Sequence, residues 1–150
     1  MTAPILVFGW GNPSRGDDAL GPLFVQQFRA IVDPDRIECL DDFQLQVEHA
    51  LDLAGRERIL LVDAGVDCAA PFEVSNPRAA RDASCSTHAL SPQALLQVFA
   101  DLHGAEAPPC TLLAIRAERF ELGAAPGPTA LSNLAAALIW GEAWARPSKS

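Results

Sequence analysis

The sequence contains no basic cluster, no closely paired cysteines and no apolar run approaching membrane length. Eleven Lys and Arg stand against 19 Asp and Glu, a formal net charge of −8. A chain this acidic repels phosphate backbones, which argues against nucleic acid as a partner. The short apolar runs argue against a membrane span. Met-Thr-Ala-Pro leads straight into Ile5-Leu6-Val7-Phe8, with no basic n-region, no apolar segment of secretory length and no twin arginine. A cytoplasmic protein is therefore expected. Cys39, Cys68, Cys85 and Cys110 form no C-x-x-C pair, so they read as reduced thiols rather than a disulfide framework or a structural zinc site. Cys39 and Cys110 fall inside apparent strands and read as core residues.

What the chain does have is 49% hydrophobic and 20% charged composition over 150 residues, which describes one globular domain spanning 1–150. Twelve prolines and ten glycines are spread along it and read as turns. Pro4 to Gly9 is an apolar run ending in Gly-Trp-Gly-Asn-Pro, the pattern of a buried strand entering a turn. Leu20, Phe24, Val25, Phe28 and Val32 then recur at helical spacing, behind Asp17 and Asp18 at the helix N-terminus. Arg36 to Asp41 alternates like a strand, and Val47, Ala50, Leu51, Leu53 and Ala54 predict a helix that stops at Gly55. Ile59 to Val62 reads as a central parallel strand covered on both faces. Phe72 to Ser75 reads as a short strand. Ser91-Pro92 caps a helix through Leu95, Val98, Phe99 and Leu102, Cys110 to Ile115 is another strand, and Pro128 to Trp144 is a final helix. Strand and helix alternate throughout, which predicts an α/β fold with a largely parallel sheet and helices on both faces.

In an open α/β sheet, sites form beyond the carboxyl ends of the strands. The residues expected there are Asn12, Asp17 and Asp18 after the first strand, Asp41 and Asp42 after the second, and Asp63 after the third. His88 stands in the loop before the Ser91 helix. Carboxylates and an imidazole converging on one edge suit a hard or borderline divalent cation. Each also has an ordinary reading: Asp17 and Asp18 complement a helix dipole, Asp41 and Asp42 cap, Asp63 forms a turn, and His88 and His49 are solvated or packed. Gly9-Trp-Gly11 through Gly16 offers a competing dinucleotide reading, but its glycine spacing differs from G-x-G-x-x-G. Asp17 and Asp18 would also repel a pyrophosphate at that helix N-terminus. No Gly-Lys-Ser/Thr and no G-x-S-x-G is present, which removes a P-loop and a serine elbow.

Gly9-Trp-Gly-Asn-Pro-Ser-Arg-Gly-Asp-Asp-Ala-Leu-Gly21 resembles the G-x-G-N-x-x-x-x-D-[DE]-x-x-G opening of the hydrogenase maturation endopeptidases. Leu61-Val-Asp63-Ala64, Ser86-Thr-His88 ahead of Ser91-Pro92, and Glu121-Leu-Gly123 followed by Leu131-Ser132 resemble later segments of that family, in the same order. The resemblance implies a three-layer α/β/α sandwich of phosphorylase/hydrolase-like type, with five strands of which one is antiparallel. It implies removal of a C-terminal peptide from a nickel–iron hydrogenase large-subunit precursor after nickel insertion, by a peptidase often classed as aspartic-type. Nickel is then recognised in the substrate, no organic cofactor is needed, and the enzyme is expected to be a monomer. By motif position Asp18, Asp63 and His88 are the metal-recognising residues, and Asp18 and Asp63 the catalytic carboxylates.

Asp18 stands where Glu is common in that family, and Ala114-Ile-Arg-Ala117 replaces its Gly-rich, Pro-containing strand end. Asp41, Asp42, Gln44, Glu48 and His49 occupy the expected substrate-contact segment, which lacks the usual Gly-Gly-Thr. The Gln44-Leu-Gln-Val-Glu-His49 run resembles proteases serving soluble, cofactor-reducing hydrogenases. A metal-dependent hydrolase of small substrates would use the same residues. A non-catalytic nickel or maturation-factor binding module remains the third reading.

Overall fold

The computed structural model describes residues 2–81 and 90–147. Its strands are β1 (Ile5–Trp10), β2 (Ile37–Asp42), β3 (Arg58–Gly65), β4 (Phe72–Ser75) and β5 (Cys110–Arg116). Its α-helices are α1 (Leu20–Arg29), α2 (Pro92–His103) and α3 (Pro128–Ala145). The strands form one sheet in the order β2-β1-β3-β5-β4. β1, β2, β3 and β5 run parallel, and β4 pairs antiparallel with β5 at one edge.

The continuous apolar runs follow from burial on both faces. Along β1, Ile5 and Val7 join a cluster with Phe24 and Phe28 of α1 and Leu134 of α3. Leu6 and Phe8 point the other way, into a cluster with Leu95 and Phe99 of α2. This two-faced burial makes three layers and explains why the alternation expected of a half-exposed strand is missing here. Ser91 caps α2 as its sequence predicts, its Oγ accepting from the Ala94 N–H at 3.0 Å, and Gly104 ends the helix in the left-handed region. Cys39, Cys68 and Cys110 are buried thiols, and burial pushes Cys39 up to about 11 and Cys110 up to about 12. Cys85 lies outside the described residues.

Two expectations are corrected. The helix expected here is a 3₁₀ helix, Val47–Leu53, and Val47 and Leu51, expected on its packed face, instead face solvent at 56% and 67% exposure. The tighter turn buries His49, Ala50 and Leu53 instead. His49 holds that geometry: its Nδ1 accepts the Gln46 N–H at 2.8 Å, and its ring lies 4.5 Å from the Phe8 ring. Leu102, expected on the buried face of α2, is 59% exposed, whereas Phe99 carries the contact with the sheet.

The first glycine motif is where chain segments meet most closely. A Cβ on Gly21, in the first turn of α1, would overlap the carbonyl oxygen of Trp10. Gly21→Ala would ordinarily favour a helix by about 1 kcal/mol. Here it is expected to destabilise by roughly 1–3 kcal/mol, because the opposing atom is backbone and cannot swing aside. Thermal unfolding checks this; an unchanged or raised Tm would show that the contact is slack.

Candidate active site

The parallel strands β1, β2 and β3 bring their carboxyl ends to one edge, with Gly9 in register with both Asp41 and Val62. At that edge the chain leaves β1 through Gly11, whose φ of 147° favours glycine and whose missing Cβ makes room for the Asp18 carbonyl. Gly11 donates its N–H to the Asp42 carbonyl at 3.1 Å, tying the turn to β2. The next residue, Asn12, donates its N–H to Asp18 Oδ2 at 2.8 Å, while its own Oδ1 accepts from the Ser14 N–H at 2.9 Å. The Gly-x-Gly-Asn sequence is thus a turn wrapped around Asp18, not a cradle for a nucleotide.

Asp17 and Asp18 share a 3₁₀ turn, Gly16–Ala19, but separate in role. Asp17 is buried and accepts the N–H groups of Glu118, Arg119 and Gly127 at 2.8, 3.1 and 2.9 Å. Burial alone would raise its pKa; the three donors outweigh that and hold its carboxyl below the usual carboxylate range. Its helix-dipole reading missed this clasp across more than a hundred residues of sequence. The available signal was Gly127, just ahead of the α3 proline, where an N–H is left without a helical partner.

Asp63 lies near the end of β3, half-buried, with Oδ1 accepting the Ala64 N–H at 2.8 Å. Burial pushes it up to about 7; the Asp18 charge adds to the rise and the Ala64 N–H opposes it. Two carboxylates, one with a pKa near neutrality and the other within electrostatic reach, form the acidic centre of the edge. A site of this kind can hold a divalent cation through oxygen, or exchange a proton near pH 7.

Other expected site residues fall into two groups. His88 lies outside the described residues. Among the described residues no group of three or more His, Cys, Asp or Glu is assembled for a metal, while Asp18 stands close enough to Asp63 for its charge to raise the Asp63 pKa. In the 41–49 segment, Asp41 and Asp42 line a shallow cleft of about 190 Å³ with Gly11, Pro13 and the exposed Phe43. Asp42 Oδ2 accepts from His49 Nε2 at 3.0 Å. Because His49 Nδ1 takes the Gln46 N–H, the proton of the neutral ring sits on Nε2. His49 is therefore a buried strut under the segment, Gln44 is half-buried, and Glu48 is exposed.

No protein-family model matches the sequence, and no curated protein matches it. Solved structures do. The hydrogenase maturating endopeptidase HybD from Escherichia coli superposes with a TM-score of 0.74 at 26% identity, covering 93% of this chain and 90% of that one. The NiFe hydrogenase maturation protease HycI from Thermococcus kodakarensis gives 0.74 at 20% identity, covering 93% and 89%. A hydrogenase 2 maturation peptidase from a Thaumarchaeota archaeon gives 0.67 at 21% identity, covering 93% and 97%. With its five-stranded mixed sheet the chain shares the fold of hydrogenase maturation endopeptidases, which are peptidases, and is similar over nearly its whole length to the Escherichia coli enzyme.

Proposed function

We propose that the chain removes the C-terminal extension of a nickel-loaded hydrogenase large-subunit precursor, and that the precursor belongs to a soluble, cofactor-reducing hydrogenase. The observation that carries the reading is the Asp18–Asp63 pair at the carboxyl edge of the sheet, with Asp63 raised to about 7. Nickel is already held by the substrate. Asp18 and Asp63 offer it oxygen ligands, and His88 a nitrogen, a set that borderline divalent ions accept. Docking through the metal places the scissile peptide beside a carboxylate able to orient or deprotonate water. The cleft at Asp41 and Asp42, supported from below by His49 and flanked by Gln44 and Glu48, is the contact for the precursor outside the scissile bond. The working unit is a one-domain cytoplasmic monomer over 1–150. Among the described residues no helix is long and apolar enough to cross a membrane.

Intact mass of the unprocessed large subunit, nickel-loaded and nickel-free, after incubation with this protein tests the reading. Loss of a defined C-terminal peptide from the loaded form alone is the expected result. An unchanged mass of the loaded, cognate precursor would remove the endopeptidase reading and leave the fold.

A further inference from the structure

Arg116 ends β5, in register with Gly65 and two residues beyond the partner of Asp63. Side chains at alternate positions of neighbouring parallel strands share a face. Asp63 follows Leu61, which packs toward α2, so Asp63, Ala114 and Arg116 belong to that same face. Arg116 Nη1 donates to the Cys68 carbonyl at 2.8 Å, and its main-chain N–H to the Pro71 carbonyl at 3.1 Å. Its Nε is buried and has no acceptor among the described residues. Buried donors without acceptors are rare in folded proteins and call for an explanation. Both charged groups lie within electrostatic reach of Cys68: its thiol, raised mainly by burial, is raised further by Glu73 and Asp63 and lowered by Arg116.

The sheet order supplies a direction. β1 carries the turn that holds Asp18, β3 carries Asp63, and β5 lies on the far side of β3. A metal held at Asp18 and Asp63 therefore sits on one side of Asp63, and Arg116 on the other. An extended peptide advances about 3.3 Å per residue and neighbouring strands lie about 4.8 Å apart, so a chain crossing the strand ends reaches β5 within about two residues. What it meets there is a guanidinium that uses one side-chain donor on Cys68 and pairs with no carboxylate among the described residues. Such a planar fork takes oxygen acceptors, carboxylate or carbonyl.

We propose that Arg116 binds an oxygen acceptor of the excised C-terminal segment and so fixes the substrate across Asp63. The assignment rests on the endopeptidase reading above and names a residue for the part of the substrate that departs.

A labelled synthetic peptide copying the C-terminal extension of the cognate large subunit, made as free acid and as terminal amide, provides the test. Its binding is measured to wild type, Arg116→Lys and Arg116→Gln. Wild type is expected to bind, Gln to weaken binding about tenfold or more, and Lys roughly threefold or more, since it keeps charge but loses the fork. A preference of wild type for the acid, lost in Gln, identifies the terminal carboxylate as the acceptor. Equal binding of acid and amide, both weakened in Gln, identifies a main-chain carbonyl. Equal binding by wild type and Arg116→Lys, or none by wild type, overturns the assignment, and the Lys variant decides should Gln lose its fold. Binding is read without cleavage, so a failure of the endopeptidase reading shows separately, as a loaded precursor left at full mass.

Discussion

Asp63→Asn is expected to abolish precursor processing while making the protein more stable above neutral pH. The substitution keeps the shape and the acceptor for the Ala64 N–H, and removes only the charge. A carboxyl raised from 3.8 to about 7 takes up a proton more readily in the folded state than in the unfolded chain. The stability associated with it is fully present below the unfolded pKa and is lost as pH rises through about 7. A shift of that size corresponds to at most about 4 kcal/mol above neutrality. The Asn variant has no charge to bury, so its Tm should exceed that of wild type at alkaline pH and converge with it in acid. Processing should fall by a factor on the order of a hundred to ten thousand, the usual range for removing a positioned acid or base. Wild-type processing should likewise fall as pH drops below about 7, where Asp63 takes up its proton. Thermal unfolding at two pH values, with intact mass of the precursor, measures both arms. Equal Tm values across the pH range would show that Asp63 is solvated, and undiminished processing would remove it from the site.

The trade between stability and activity expected at Asp63 also marks how far the sequence could be read. The α/β layering was legible because Ile5 to Phe8 and Ile59 to Val62 are apolar at every position, which requires cover on both faces. The edge carrying the acids followed, since parallel strands point their carboxyl ends the same way. Local patterns failed where a tertiary contact decided the outcome. Val47 and Leu51 carry the spacing of a helix face, yet the His49 bonds to Gln46 and Asp42 select a tighter turn and leave both exposed. Asp17 and Asp18 are identical and adjacent in sequence. Only the return of the chain from β5, which presents the N–H groups of Glu118, Arg119 and Gly127, distinguishes them. Likewise nothing local to Asp63 announces a pKa near 7; burial by distant segments produces it.

Asp17→Ala and Asp18→Asn are expected to separate those two roles. Truncating Asp17 leaves three main-chain donors without their acceptor in a site that is only 2% exposed. A loss on the order of 3–5 kcal/mol follows, or a fall in Tm of about 10 °C. Because the Asp17 pKa is lowered in the fold, its stabilising effect is present above the unfolded value and is lost as pH falls through the folded one. The gap between wild type and Asp17→Ala should therefore narrow in acid, opposite to the pattern at Asp63. Asp18→Asn retains an oxygen for the Asn12 N–H, so its Tm should stay within about 2 °C of wild type. It also withdraws the negative charge that helps to raise Asp63, so the Asp63 titration should move toward lower pH even as processing is lost. A variant of Asp17 that keeps full stability, or a folded variant of Asp18 that loses as much stability as expected for Asp17→Ala yet leaves the Asp63 titration unmoved, would invert the assignment. The clasp and the site would then have exchanged residues.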